Sequence, residues 1–250
     1  MKLCRRLTSA LALLALALLA LDCSGCGSSP GRPVADAIPI DPDDISNFEY
    51  LYAHNCAGCH GPNGKGGAST ALANPLYLTI VDDSILRRVT TNGVAGTLMP
   101  AFAKSEGGML TDQQINVVVK GIREHWSKPE LLREGNTPLY SAPSAGDAAR
   151  GLQVFGVFCS SCHGSQGRGG PKASSIVDPS YLALVSDQSL RTTVIVGIPE
   201  LGAPDWRGNV PGKPMSSQDI SDVVAWLASQ RTAFPGQPYL HSDKPAGEPQ

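Results

Sequence analysis

Residues 56–67 read CAGCHGPNGKGG, and residues 159–170 read CSSCHGSQGRGG. Each stretch sets two cysteines one helical turn apart, places a histidine directly after the second, and continues into a glycine-rich loop. The copies begin 103 residues apart, so they belong to a repeated unit, and whatever explains one must explain the pair. A chain of 250 residues fits one or two domains, and the recurrence decides for two. Each half is small and poor in large side chains: the chain has 6% aromatic residues, 27 Gly and 20 Pro. A domain of about 85 residues is marginal on buried surface alone, so a disulfide, a metal or a bound group should complete each core.

The charge balance narrows the partners. A formal net charge of −2, from 20 basic and 22 acidic residues, offers neither a polycationic surface for nucleic acid nor an acidic tail. The first 26 residues differ in kind. Lys2, Arg5 and Arg6 precede an apolar run from Leu7 to Leu21 built almost wholly of Leu and Ala. This is the pattern of a secretory signal, and at about 15 residues the run falls short of the roughly 20 that a spanning helix needs. DCSGCG follows, with Cys23 and Cys26 where a bacterial lipoprotein signal carries its lipid-modified cysteine. Either one of them bears a lipid anchor, or both leave with the signal or remain as an incidental pair. Cys4 lies within the signal.

Of seven cysteines, the remaining four all lie in the two CxxCH stretches. A zinc site would want a second CxxC some 15–20 residues on, and neither half supplies one. A thioredoxin-like redox pair would want strands and helices around it and would leave both histidines unexplained. The third reading is covalent haem attachment, for which CxxCH is the signature. Cysteines three apart project from one side of a helical turn, so Cys56 with Cys59, and Cys159 with Cys162, can each form thioethers to the two vinyl groups of one porphyrin. His60 and His163 then become the proximal iron ligands. One buried macrocycle per half also supplies the apolar area that the side chains lack. GPNGKGG and GSQGRGG keep the chain close to the porphyrin edge, where a side chain would collide. Lys65 and Arg168 hold the same place in the two copies, as partners of a haem propionate or as solvated loop charges.

Each half resembles a class I cytochrome c domain, and the whole resembles a dihaem cytochrome c over roughly residues 41–234. The resemblance implies an all-α fold of two tandem helical domains. In each, an N-terminal helix ends at CxxCH, a C-terminal helix crosses it, and a loop between them carries the distal ligand. The residues support those helices independently. DPDDISNFEYLYAHNC sets Phe48, Leu51 and Tyr52 at helical spacing, and GDAARGLQVFGVFC does the same with Leu152, Phe155 and Phe158. TDQQINVVVKGI opens with a capping box from Thr111 to Gln114, and SSQDISDVVAWL with one from Ser216 to Asp219. In the family a Gly on the first helix meets an aromatic on the last, which Gly151 and Trp226 match. The first half departs, with Phe48 and Gly121 at those positions. Large and small have exchanged sides at conserved volume, so Phe48 is expected to pack over Gly121.

NPLYL at 74–78 answers DPSYL at 178–182, and VDDSIL answers VSDQSL with a register slip of one residue; both copies then reach a glycine, Gly93 and Gly197. In the first half Met99, followed by Pro100 and Phe102, stands where the family's axial methionine would be. Met/His ligation raises the potential of a haem and suits electron transfer. Counting on from Gly197 brings Ala203 to that position, and alanine cannot ligate iron. Met215 is the nearest substitute, but it directly precedes the Ser216 cap and aligns with Leu110, so it reads equally as the apolar member of a hydrophobic staple. His241 lies in a tail of disordered composition. His54 and His125 read as surface residues. A proximal histidine normally donates its second ring proton to a backbone carbonyl; neither copy has the family's usual Pro at that acceptor, which leaves it unnamed.

The expected organisation is a signal at 1–26, a linker at 27–40, domains at 41–126 and 147–234 joined by a linker at 127–146, and a disordered tail at 235–250. The leading functional reading is an exported, periplasmic electron carrier with two covalent haem c groups and redox proteins as partners, and with no bond-making residues of its own. Ala95 and Gly96 would leave a haem edge near the surface for a partner. Two alternatives stand beside it. The Ala203 gap makes the second haem an open ligand-binding or catalytic site, or the chain is a fixed, lipid-anchored subunit of a membrane respiratory or dehydrogenase complex.

Overall fold

A computed structural model describes residues 40–128, 130–131 and 137–233. The signal segment with Cys23 and Cys26, and the tail with His241, lie outside the described residues. Those described are helical, with two isolated β-bridges and no strand. After a 3-10 turn at Pro42–Asp44, the first half runs through α1 (Phe48–Asn55), α2 (Ala57–His60), α3 (Pro75–Ile80), α4 (Asp83–Asn92) and α5 (Asp112–Trp126). The second half repeats the series as α6 (Ala148–Phe158), α7 (Ser160–His163), α8 (Pro179–Leu184), α9 (Asp187–Val196) and α10 (Ser217–Ser229).

Local chemistry sets the start of each helix. Asn47 and Asp147 cap α1 and α6. Asn74 and Asp178, each followed by a proline, cap α3 and α8, and Asp82 and Ser186 cap α4 and α9. Both expected capping boxes are formed, at Thr111 with Gln114 and at Ser216 with Asp219. A side-chain cap contributes about 1 kcal/mol. Gln114 does more than cap: its amide also donates to the carbonyls of Pro42 (2.7 Å) and Ile45 (3.1 Å), tying the entry turn to α5.

In each half the first helix crosses the last. A Cβ on Gly121 would lie 2.7 Å from Phe48 Cε2, so Phe48 packs over Gly121 as expected. A Cβ on Gly151 would lie 2.7 Å from the carbonyl carbon of Asp222 and 2.8 Å from Trp226 Cβ. The helix read from Leu152, Phe155 and Phe158 is present, but Leu152 is 45% exposed, and the buried stripe of α6 is Gly151, Val154, Phe155 and Phe158. Spacing alone fitted both faces of this helix. The glycine decides between them, because only it admits the close backbone approach of α10.

The closing helices do the same two jobs from exchanged positions. Trp126 covers Gly64 in the first half, and Trp226 covers the equivalent Gly167 in the second. Arg123 donates to the carbonyls of Leu78 and Val81 and pairs with Asp83. Arg231 takes the equivalent carbonyls of Leu182 and Val185 and pairs with Asp187. Counted from the helix caps, Arg precedes Trp in the first half and follows it in the second. Each tryptophan still meets the aromatic four residues before the first cysteine: Tyr52 to Trp126 at 5.1 Å and Phe155 to Trp226 at 4.5 Å between ring centroids.

Candidate functional site

In both halves the first helix runs directly into the CxxCH turn. Cys56 closes α1 by donating its N–H to Tyr52 O (2.9 Å), and its own carbonyl accepts from His60 N–H (3.0 Å). Cys159 repeats this with Phe155 and His163 at 2.9 and 3.0 Å. None of the four cysteines is in a disulfide. Burial, reinforced by the neighbouring thiol, pushes Cys56 up to about 11 and Cys159 up to about 12, so both are neutral thiols at ordinary pH.

The structure supplies the proximal acceptors that the sequence left unnamed. His60 Nδ1 lies 2.7 Å from Thr70 O, and His163 Nδ1 lies 3.0 Å from Ser174 O. A carbonyl can only accept, so Nδ1 carries the proton and Nε2 presents its lone pair, the form a metal takes up. Burial lowers the His60 pKa, opposed by the bond to Thr70, and favours the neutral ring. The acceptor is ten residues after His60 and eleven after His163, which locates the one-residue slip between the copies in this loop.

The glycines also let the loop approach its own backbone closely. Gly61 has φ +82° and Gly164 φ +76°, a region that favours glycine. A Cβ on Gly61 would lie 2.6 Å from the carbonyl carbon of Lys65, and one on Gly67 would lie 2.7 Å from that of Cys59. The loop thus folds back onto the CxxCH turn itself, fixed by Ser69 N–H to Cys59 O at 3.0 Å. Lys65 and Arg168 are exposed on these loops.

The distal loops superpose in their hydrogen bonds. Val94 N–H donates to Met99 O and Ile198 N–H to Ala203 O, both at 3.0 Å, just after Gly93 and Gly197. Ala203 therefore occupies the backbone position of Met99. Met215 is 3% exposed. Its N–H donates to Trp206 O (2.9 Å), as that of Leu110 does to Phe102 O (2.7 Å), so it sits where the first half has a core leucine. Asn209 Nδ2 lies 4.0 Å from its sulfur. His54 and His125 lie on the surface of α1 and α5, stacked on Tyr50 and Phe48.

Two thiols on one turn beside an imidazole locked with Nε2 free form the donor set that covalent haem requires, and it is present twice. Among the described residues no group of three or more His, Cys, Asp or Glu is placed to hold a metal ion, so a zinc site has no ligand set there. Residues 43–120 match the family model described as cytochrome c oxidase, cbb3-type, subunit III, and residues 148–231 match that of cytochrome c. The cytochrome bc1 complex cytochrome c subunit of Mycobacterium bovis is 22% identical over 249 residues, covering 98% of this chain and 85% of the relative. The same-named subunit of Mycobacterium leprae is 24% identical, over 85% of this chain and 71% of its own length. The cbb3-type cytochrome c oxidase subunit FixP of Sinorhizobium medicae is 27% identical, over 58% of this chain and 48% of its own. With a cytochrome c-type match on each half and one CxxCH turn inside each, the chain belongs to the cytochrome c family as a dihaem, electron-transferring member, with a covalent haem c in each of its two tandem domains.

Proposed function

We propose that the protein is an exported electron carrier with two unlike centres. Cys56 and Cys59 hold the first haem, with His60 and Met99 as axial ligands. Cys159 and Cys162 hold the second, with His163 on its proximal side. Bound haem supplies the one-electron chemistry. The chain contributes attachment, a fixed proximal tautomer, loops that close over the ring, and Lys65 and Arg168 as cations for the propionates. The observation that carries this asymmetry is the identical backbone placement of Met99 and Ala203. Met215 in the place of Leu110 supports its reading as core, which leaves the second haem without a sulfur ligand. A redox titration followed optically is expected to show one methionine-to-iron charge-transfer band, belonging to the higher-potential haem. Carbon monoxide added to the reduced protein at neutral pH is expected to shift part of the Soret band. An unmoved Soret band means a six-coordinate second haem and returns the sixth position to Met215.

The comparisons favour a second setting for the same chemistry. Relatives that match nearly this whole chain are named as subunits of a bc1 complex, which supports a fixed place in a respiratory complex on the outer side of the cytoplasmic membrane. No helix among the described residues is long and apolar enough to cross a membrane. A lipid on Cys23 or Cys26 would supply the tether. Mass spectrometry of the mature N-terminus is expected to find that lipid. An unmodified terminus downstream of Cys26 removes the tether and leaves the soluble carrier.

A further inference from the structure

We propose that Arg191 is the positioning residue of the two-domain unit: it straps the interdomain linker to domain 2 and so fixes where domain 1 sits. The Arg191 residue is 2% exposed, yet among the described residues no carboxylate pairs with it. Nε donates to the carbonyls of Leu139 (3.1 Å) and Tyr140 (3.0 Å), and Nη2 donates again to Leu139 O (2.9 Å). Ser217 and Ser221 of α10 take the remaining bonds, at 3.0 and 3.3 Å. Gln188, one turn earlier on α9, adds a bond to Tyr140 O at 2.9 Å.

A buried cation persists only where dipoles replace its water shell. Here three of the five bonds end on linker carbonyls. Were the linker to lift away, the guanidinium would be left to two hydroxyls, so the linker and the cation hold each other. The counterpart in domain 1 works differently. Arg87, at the same register of α4, is exposed and bonds Asn116. The buried form occurs only where the linker crosses.

Domain 1 meets the same helix. Tyr140 packs on the buried core. Asn74, the cap of α3, donates to Val196 O at 3.3 Å at the far end of α9. One helix of domain 2 therefore holds the linker near its start and domain 1 at its end. The repeat differs here in burial: Tyr77 is 8% exposed, while its equivalent Tyr181 is 37% exposed. The arrangement fixes the relation of the two haem domains as a structural constant of the chain. Its bearing on electron flow rests on the electron-carrier function proposed above; the strap itself does not.

The test uses the holoprotein with nitroxides at two exposed positions, Lys120→Cys on α5 and Gln153→Cys on α6, read by pulsed dipolar EPR. The parent is expected to give one narrow distance. Arg191→Met, with both haem spectra unchanged, is expected to give a distribution at least about twofold broader, because the buried cation that holds Leu139 and Tyr140 is gone. Arg191→Lys, which keeps the charge and loses the forked donation, should fall between, and Arg87→Met should match the parent. An Arg191→Met protein with both haems in place and the parent's width overturns the proposal. If that variant fails to accumulate, Arg191→Lys decides, and parental width in it overturns the proposal equally. Intramolecular electron transfer after flash reduction separates the strap from the carrier function: a broadened distance with an unchanged rate supports the strap and shows that electron flow does not depend on it.

Discussion

Gly151→Ala is expected to prevent domain 2 from closing. The added methyl would press into the backbone of α10 at Asp222, a helix already pinned there. Asp222 is fully buried, accepts from Asp147 N–H (2.8 Å) and Gln218 Nε2 (2.8 Å), and pairs with Arg150. Backbone cannot rotate aside as a side chain can, so α6 and α10 must separate and give up the contact of Phe155 with Trp226. Alanine gains up to about 1 kcal/mol of helix propensity. Against this, overpacking costs about 1–3 kcal/mol, and opening the crossing adds the lost burial, which leaves a net loss of roughly 3 kcal/mol or more. In a small domain with a total stability of about 5 kcal/mol, that removes more than half of what holds it folded. The corresponding Gly121→Ala is expected to be milder, because its methyl meets the ring of Phe48, which can tilt. Phe48→Leu should recover most of the loss in that background, a coupling that a double-mutant cycle reads directly. Denaturation midpoints and haem content per chain are the measurements. Equal midpoints for the two glycine variants would show that the crossings are not built as described.

Met99→Ala is expected to make the first centre resemble the second. The methionine charge-transfer band disappears, a second portion of the Soret band becomes sensitive to carbon monoxide, and the higher potential falls. Axial ligands command a span of about 0.8 V across haem proteins, and losing a thioether is expected to lower the potential on the order of 100 mV. For one electron that is about 2 kcal/mol. The reciprocal Ala203→Met places a thioether at the matching backbone position and should create a second band. A band that survives Met99→Ala assigns the ligand elsewhere and dissolves the proposed asymmetry between the halves.

Much of this was legible in the sequence, for identifiable reasons. CxxCH encodes its geometry in spacing alone. The capping boxes at Thr111 and Ser216 are local, and the exchange of Phe48 with Gly121 follows from volume at one crossing. Gly93 and Gly197 gave the register that equates Met99 with Ala203, and the distal hydrogen bonds agree with it. What escaped depends on backbone atoms or on non-local contacts. The carbonyls of Thr70 and Ser174 carry no side-chain signature, since every residue of the loop offers the same backbone group. Leu152 fitted an apolar period on either face of α6. Arg191 reads as one more surface arginine until the linker lies across it. The family's Gly–aromatic pairing fits Trp226, whereas Trp126 stands five residues further along its helix and matches no position of that pairing.

That exchange of places limits how the two modules can be recombined. A hybrid carrying α10 and its extension to Arg231 in place of α5, aligned by the caps, would set tryptophan against Phe48 and arginine over Gly64. The carbonyls of Leu78 and Val81 would lose their donor. Transplanting the helix succeeds only if its partner helix travels with it, so the heritable unit here is a matched pair of helices, and drift in either half must proceed by compensated steps.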